Sequence, residues 1–406
     1  MKFAIIKERK NPPDRRVVFS PEKLAEARAL FPEAEFIIES SDLRVFPDAA
    51  YEKLGFKVTD DVSDADVMIG VKEVPIDALI PNKKYIFFSH TIKKQAHNRE
   101  LLQAILEKNI ELIDHETIAK KSGARLIGFG RYAGLVGAYN GFRALGLRDG
   151  LFNLPKVETL SCLQEVKSEL DKITIPPIKI LLSGTGKVAR GAKEIINHLN
   201  IRKIDNGLYL TSKFSEPVFC VIDVMDYNKR KDGKVGNKPE FYLHPYKYES
   251  NFMAYAKETD MFIAGHFYGN DAPFLFTRED AKSSDFNINL VADISCDVDG
   301  PVASTLRAST IDDPFYGYDL ATEKEVAFDA KDAVTVMAVD NLPCELPKDA
   351  SEGFGEMFLE HVIPAFFNDD ENGILKRAKI TQNGELTRRF AYLQEYVDEE
   401  LVESRY

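Results

Sequence analysis

Short apolar runs alternate with amphipathic stretches through the first third of the chain: KFAIIK, PEKLAEARALF, EFIIES, DAAYEKLGF, DVMIGV, KYIFFSH, NRELLQAILEKN and IELIDHE follow one another. Continuous apolar runs between helical patterns are the signature of strands buried on both faces, so this third predicts an α/β fold with a parallel sheet covered by helices. Residues 128–147, GFGRYAGLVGAYNGFRALGL, are rich in small residues and apolar at helical spacing. They predict a helix that carries the chain out of a first domain into a second. The stretch to about Lys172 also reads as helix. ITIPPIKILLSGTGKVARGAKEIINHL then opens a new α/β unit, with strands expected at GLYL, VFCVIDV, MFIAGHF and LVADISC. The polar segment YNKRKDGKVGNKPEFYLHPYKY reads as an exposed loop. From about residue 325 the pattern changes to DAVTVMAVDNLP, SEGFGEMFLEHVIPAFF and a charged helix, ELTRRFAYLQEYVDEELV, a tail expected to pack back on the first domain.

Composition narrows this picture. A chain of 406 residues exceeds what one hydrophobic core usually supports, which agrees with two domains. The balance of 53 Lys+Arg against 65 Asp+Glu, net −12, comes with no basic run to track a phosphate backbone, so nucleic acid is not an expected partner. MKFAIIKERK turns charged too soon for a signal peptide and no stretch approaches a membrane span, so a cytoplasmic location without membrane contact is expected. Cys162, Cys220, Cys296 and Cys344 form no CxxC pair, which points to reduced, mostly buried thiols rather than zinc or disulfides.

The run from Lys179 to Leu182 leads straight into Gly184-Thr185-Gly186-Lys187-Val188-Ala189, and a helical pattern begins at once. This is GxGxxA in its required setting. The first glycine allows the tight turn, the second admits backbone to a pyrophosphate, and Ala189 lets helix and strand pack closely, with the helix N-terminus favouring the anion. The expected architecture is therefore two Rossmann-like domains with parallel sheets and a cleft between them. Residues 1–135 plus 325–406 would form a discontinuous substrate and catalytic domain, and residues 136–324 the dinucleotide-binding domain. The acidic residue expected about twenty positions on, for the ribose hydroxyls, is Asp205, with a plain turn residue as the alternative. Arg202 and Lys203 beside it favour a 2′-phosphate, so the cofactor is NAD or NADP.

In parallel sheets ligands bind outside the carboxyl ends of the strands. Several apolar runs here end in ionisable residues: Lys72 and Glu73, His90, Asp114 and Glu116, His266, and Asp293. One such ending is ordinary, and His90 alone would be read as a packing histidine. As a set, Lys72, His90 and Glu116 would meet on one sheet edge, where lysine and histidine can trade protons. Arg16 in DRRVVFSP and Arg125 in SGARLIGFG are candidates to clamp carboxylates, though each taken singly reads as a surface ion-pair member. No His/Asp/Glu cluster with metal-ligand spacing is present, so no metal is expected.

At these residues the chain resembles the lysine-ketoglutarate reductases, that is, the lysine-forming saccharopine dehydrogenases, within the alanine dehydrogenase/transhydrogenase superfamily. IKERKNPPDRRVVFSP, IGVKEVP, FFSHTIKKQ, LIDHE, GFGRYAG, SGTGKVARGAKEI, LVADISCDVDGPVASTLRASTIDDPFYGYD and VDNLPCELPKDASEGFG carry the resemblance. It implies an oxidoreductase of lysine metabolism that condenses L-lysine with 2-oxoglutarate to saccharopine, reversibly, using NAD(P)H. Lys72 and His90 look like the acid/base pair. Glu73, Lys93 and Glu116 look like substrate-side groups tuning that pair, Arg16 and Arg125 like carboxylate binders, and Asp340 like a residue near the cofactor or the lysine site. Lys72 can act as a base only if its pKa is lowered, by burial or by Lys93 and Arg16, against Glu73 and Glu116. There are three departures. The second catalytic domain of the bifunctional animal and plant enzymes is not in this sequence, so saccharopine cleavage is not expected. Asn341 stands where fungal relatives have histidine, and the segment from Tyr227 to Tyr248 matches loosely. Two other readings stay open: an alanine dehydrogenase-like or other amino-acid dehydrogenase, and a non-catalytic nucleotide-binding subunit or sensor. The expected partners are small molecules, with homo-oligomerisation left open.

Overall fold

The computed structural model describes residues 1–269 and 271–399. The last residues of the expected charged tail helix and of the discontinuous domain, 400 onward, lie outside that range. The chain divides into two compact units, one formed by Met1–Gly128 with the segment from Pro347 on, the other by Phe129–Leu346.

In the first unit β1 (Lys2–Ile5), β2 (Glu35–Glu39), β3 (Lys57–Thr59), β4 (Val67–Ile69), β5 (Lys84–Phe87) and β6 (Glu111–Asp114) build a wholly parallel sheet in the order β3-β2-β1-β4-β5-β6. The connecting helices are α1 (Pro21–Leu30), α2 (Asp48–Lys53) and α3 (Arg99–Glu107). α1 begins where Ser20 accepts the Lys23 amide, with Pro21 in the first turn, a start for which those residue types are suited. α3 turns Leu101, Leu102 and Ile105 into a core with Ala4, Met68, Tyr85 and Phe87.

In the second unit α4 (Gly130–Asp149) and α5 (Leu163–Leu170) precede β7 (Lys179–Ser183), α6 (Lys187–His198), β8 (Arg202–Lys203), α7 (Asn206–Thr211) and β9 (Val218–Ile222). Then come β10 (Asn228–Arg230), α8 (Lys238–Leu243), β11 (Tyr248–Ser250), α9 (Met253–Ala256), β12 (Met261–Ala264), α10 (Arg278–Ala281), β13 (Leu290–Asp293), β14 (Phe315–Asp319), β15 (Glu325–Val326) and β16 (Ala333–Met337). The main sheet runs β15-β14-β16-β13-β12-β7-β9-β8. It is mixed rather than parallel throughout, because β14 runs against both its neighbours. α4 and α6 cross at bare backbone. A Cβ on Gly134 would lie 2.0 Å from the Val188 carbonyl oxygen and one on Gly191 2.0 Å from that of Arg131, so only glycine permits the approach.

Five further expectations change. The second unit extends to Leu346 rather than ending near residue 324, because DAVTVMAVD supplies β16, which pairs in parallel with β13. GLYL lies in α7, a helix started by Asp205, whose side chain accepts the Leu208 amide at 3.0 Å. A short apolar run does not by itself separate strand from helix. The Tyr227 to Tyr248 segment is not a loop but the β10–β11 ribbon with α8, anchored by buried Tyr227, Phe241 and Tyr248. Of the tail, α11 (Pro347–His361) packs in the first unit, Phe358 meeting Phe19 edge-on at 5.5 Å, whereas the charged end forms a short strand, a 3-10 turn and a helix over Gln394–Asp398. All four cysteines are free, but only Cys220 is buried.

Candidate active site

Register brings the strand endings of the first unit level. Ile5, Ile69, Ile86 and Ile113 are aligned across β1, β4, β5 and β6. Glu8, Lys72 and Glu116 follow at the same remove from those isoleucines, and His90 follows one place later. The side chains sort into two charged groups.

The first group surrounds Lys72. The Glu8 carboxylate accepts the amides of Val71 at 2.7 Å and Lys72 at 2.8 Å, tying the end of β1 to the end of β4. Burial and then the Asp14 charge push the Glu8 carboxyl up to about 7. Arg16 grips Asp14 through Nε at 3.0 Å and NH2 at 2.6 Å, and both residues are buried. Burial opposes ionisation of Asp14, but Arg16 overrides it and draws the carboxyl down to about 2. Lys72 itself is lowered, first by burial and then by Arg16 and Lys10, against Asp14 and Glu73. The cations acting on it are thus Arg16, as expected, and Lys10 rather than Lys93, and the opposing carboxylates are Asp14 and Glu73 rather than Glu116. Glu73 pairs with Lys10 at 3.0 Å through one oxygen, and its Oε2 is buried with no hydrogen-bond partner among the described residues. Lys10 and Glu73 also line a groove of about 710 Å³ with Asp77, His97, Glu100 and Lys108.

The second group centres on Glu116. Its carboxylate lies 3.2 Å from Arg125 NH2, 3.5 Å from Lys93 Nζ and 3.5 Å from His90 Nδ1, the last two at the outer limit of hydrogen bonding. Burial works against the charge, yet His90, Lys93 and Arg125 together bring the carboxyl down to about 2. His90 stands in left-handed backbone, φ 56°, which histidine tolerates better than most residues. The turn is held from below. Asp114 accepts the Ser89 amide at 3.0 Å, the Ser89 hydroxyl in a short contact and the Glu116 amide at 2.6 Å. Fully buried, Asp114 is raised to about 6. His115, between Phe88, Phe354 and Phe358, is a packing histidine whose Nε2 meets the Gly70 carbonyl at 2.8 Å. The structure therefore brings His90, Glu116, Lys93 and Arg125 together, and Lys72, Glu73 and Arg16 together. Lys72 and His90 follow adjacent strands, and neither a hydrogen bond nor an ion pair joins them.

In the second unit Gly184 has φ +95° and its amide donates to the Ile222 carbonyl at 2.8 Å. A Cβ there would fall 2.6 Å from the Gly265 oxygen. A Cβ on Gly186 would meet nothing within 4 Å, so the turn leaves its backbone approachable at the start of α6, where Lys187 and Val188 are the first residues and Ala189 is buried. These features fit a dinucleotide pyrophosphate. Asp205 sits two strands away and caps α7. β8 lies at the sheet edge and β9 beside β7, so the carboxylate opposite Gly184 is Asp223, the residue after Ile222. Its Oδ2 pairs with Lys238 Nζ at 2.5 Å. Asp293 is buried and engaged by Ser295, Cys296 and Thr305, which makes it a loop anchor. Asp340 is exposed just past β16. Sequence reasoning assigned no role to Glu8, Asp14, Asp223 or Lys238. The endings of KFAIIK and VFCVIDV carried the signal for Glu8 and Asp223, but only register selects them.

Among the described residues no helix is long and apolar enough to cross a membrane. No group of three or more His, Cys, Asp or Glu among them is arranged to hold a metal.

Residues 4–136 match the family described as alanine dehydrogenase/PNT, N-terminal domain. The fold is similar to that of an L-alanine dehydrogenase, with a TM-score of 0.66 at 18% identity over 98% of this chain and 99% of that one. Matched domain and fold are thus both similar to those of alanine dehydrogenases and transhydrogenases. The sequence is similar to an alpha-aminoadipic semialdehyde synthase of Arabidopsis thaliana, 29% identical over 89% of this chain and 38% of that protein. It is also related to a saccharopine dehydrogenase [NAD(+), L-lysine-forming] of Yarrowia lipolytica, 23% identical over 81% of this chain and 83% of that protein. The chain spans less than half the length of the semialdehyde synthases it matches.

Proposed function

We propose that the chain is an NAD(P)H-dependent oxidoreductase that condenses L-lysine with 2-oxoglutarate to saccharopine, reversibly. The observation that carries this reading is the level row of strand endings in the first unit, with a lysine of lowered pKa on one strand and a histidine against a carboxylate of strongly lowered pKa on the next two. The named activity of the fungal relative, matched over most of both chains, supports it.

The substrate ε-amine has to lose a proton before it attacks the ketone, the carbinolamine has to lose water, and the imine has to be protonated. Lys72, half-buried and beside Arg16 and Lys10, gives up its own proton more readily than a free lysine, so its amine serves as the base toward the substrate ammonium. His90 moves protons at the carbonyl oxygen, its ring steered by Glu116, which stays ionised down to about pH 2. Arg16 is committed to Asp14 and acts on Lys72 through its charge, while Lys93 and Arg125, about half exposed, offer N–H groups to the substrate carboxylates. Glu73 Oε2 offers an acceptor to a substrate ammonium. The nicotinamide supplies the hydride when bound. In the second unit the Gly184–Ala189 turn would hold the pyrophosphate and Asp223 the adenosine ribose, with Lys238 beside it for a 2′-phosphate.

The test follows NADH and NADPH oxidation with 2-oxoglutarate plus lysine, with pyruvate plus ammonia, and with each oxo acid alone. Turnover is expected only with 2-oxoglutarate plus lysine. Equal rates with ammonia and pyruvate would move the assignment to an alanine dehydrogenase-like reaction.

A further inference from the structure

Beyond the glycine turn, the second unit holds a buried histidine that the proposed chemistry does not use. The main sheet reverses its order at β7: β8 and β9 lie on one side, β12 and β13 on the other. Ligands of such sheets bind outside the strand ends where the order reverses. β12 ends at Ala264, opposite Ser183, and Gly265 and His266 follow. Their backbone stands against the turn, since a Cβ on Gly184 would lie 3.0 Å from His266 Cα.

His266 is 8% exposed. Its Nδ1 lies 2.9 Å from Ser183 Oγ, itself fully buried, and Tyr227 packs edge-on at 6.3 Å. Its Nε2 is buried without a hydrogen-bond partner among the described residues. No charge stands behind this ring: burial is what pulls it down to about 4, so it is neutral at pH 7. The tautomer follows from counting donors. If Nδ1–H donated to Ser183, the serine proton would be left without an acceptor in the interior, whereas a serine donating to Nδ1 leaves one orphan, the Nε2–H. A histidine kept for packing has no reason to bury an unmet donor, since phenylalanine or leucine would fill the space without that penalty.

We propose that His266 is a dinucleotide-binding residue, anchored by Ser183 so that its Nε2–H donates to a pyrophosphate oxygen of the cofactor. This rests on the second unit binding a dinucleotide. It adds a contact from β12 to the one made by the turn after β7.

The experiment uses the full chain and reads apo melting temperature and calorimetric affinity for NADH, NADPH, ADP-ribose and AMP. H266N keeps an amide to meet Ser183 but has no atom at the Nε2 position, and H266Q restores a donor there. H266N is expected to weaken NADH and ADP-ribose about tenfold, the equivalent of one hydrogen bond to a charged acceptor, with AMP unchanged. H266Q should stay within about threefold of wild type, and H266L should melt no lower than wild type because the orphan is gone. Wild-type binding with H266N binding just as tightly overturns this proposal alone. So does an H266L that melts several degrees lower while its affinity is intact, which would mark His266 as packing. A wild type that binds none of the dinucleotides overturns the dinucleotide reading and this proposal with it.

Discussion

Replacing Glu116 by glutamine keeps the shape of the side chain and one acceptor oxygen while removing the charge that His90, Lys93 and Arg125 surround. The wild-type carboxyl is held at about 2 against an ordinary 4.5, despite burial that pushes the other way. Taken at face value that difference amounts to roughly 3 kcal/mol at about 1.4 kcal/mol per unit. Lys93 and Arg125 are 48% and 54% exposed, so water and salt screen them and about 1–2 kcal/mol is the expected net loss. In a unit of this size that corresponds to roughly 2–8 °C in melting temperature. The folded pKa is depressed, so the contribution is present above the unfolded value and fades as pH falls from about 4.5 toward about 2. Paired melts of wild type and Glu116→Gln should therefore differ by a constant amount from pH 8 to pH 5 and converge below. The gap should also narrow in 1 M salt, where the screening length is about 3 Å. A variant as stable as wild type at pH 7 in low salt, or a gap indifferent to both pH and salt, would refute the electrostatic account of this site.

Lys72→Met and His90→Gln should each lower kcat by about a hundredfold or more with NADH affinity unchanged, the effect of removing a positioned proton-transfer group; a defect confined to cofactor binding, measured by fluorescence titration, contradicts those roles. Gly184→Ala forces a Cβ onto the Gly265 oxygen at 2.6 Å in left-handed backbone, so it should cost roughly 2–4 kcal/mol in stability and abolish NADH binding, read by calorimetry. Lys238→Gln, which removes the ammonium 2.5 Å from Asp223, should raise KM for NADPH about tenfold while moving that for NADH less than about threefold. Equal shifts for both cofactors count against the pair as a discriminator. Glu345, 3% exposed and accepting from Asn140 at 2.8 Å, is raised to about 8 by burial. A raised carboxyl withdraws stability as pH climbs from about 4.5 through about 8, so Glu345→Gln should gain on wild type across that window in thermal melts. A difference that stays level from pH 5 to pH 9 argues against a protonated Glu345.

Much of the architecture is legible in the chain because local period and burial agree. KFAIIK, EFIIES, DVMIGV, KYIFFSH and IELIDHE are all strands of one parallel sheet, and a helix covers Gly130–Asp149. What escapes is whatever depends on which strand lies beside which. Counting about twenty residues from the glycine turn leads to Asp205 on the assumption that the next strand is the neighbour. Here that strand goes to the edge and the following one slips between, so Asp223 faces the turn instead. Glu8 acts on Lys72 across sixty-four positions of sequence, which no local pattern encodes. DAVTVMAVD reads as the start of a new region because the composition shifts near residue 325, yet its apolar face extends the existing sheet. Lys72 illustrates the site itself: its identity and place on a strand end are visible in sequence, but whether burial or its carboxylate neighbours prevail is a matter of three-dimensional packing.

The glycine-to-carbonyl crossing of α4 and α6 has a consequence for how this chain can be recombined. α6 opens at the glycine turn, and α4 starts at Gly130, just past the unit boundary at Gly128 where a designer would be inclined to cut. With Gly134 seated on Val188 and Gly191 on Arg131, neither helix tolerates a stranger as partner. A chimera that transplants this glycine-turn unit into another scaffold must move both helices as one cassette, and a junction placed after residue 150 would leave the donor turn leaning on a foreign surface.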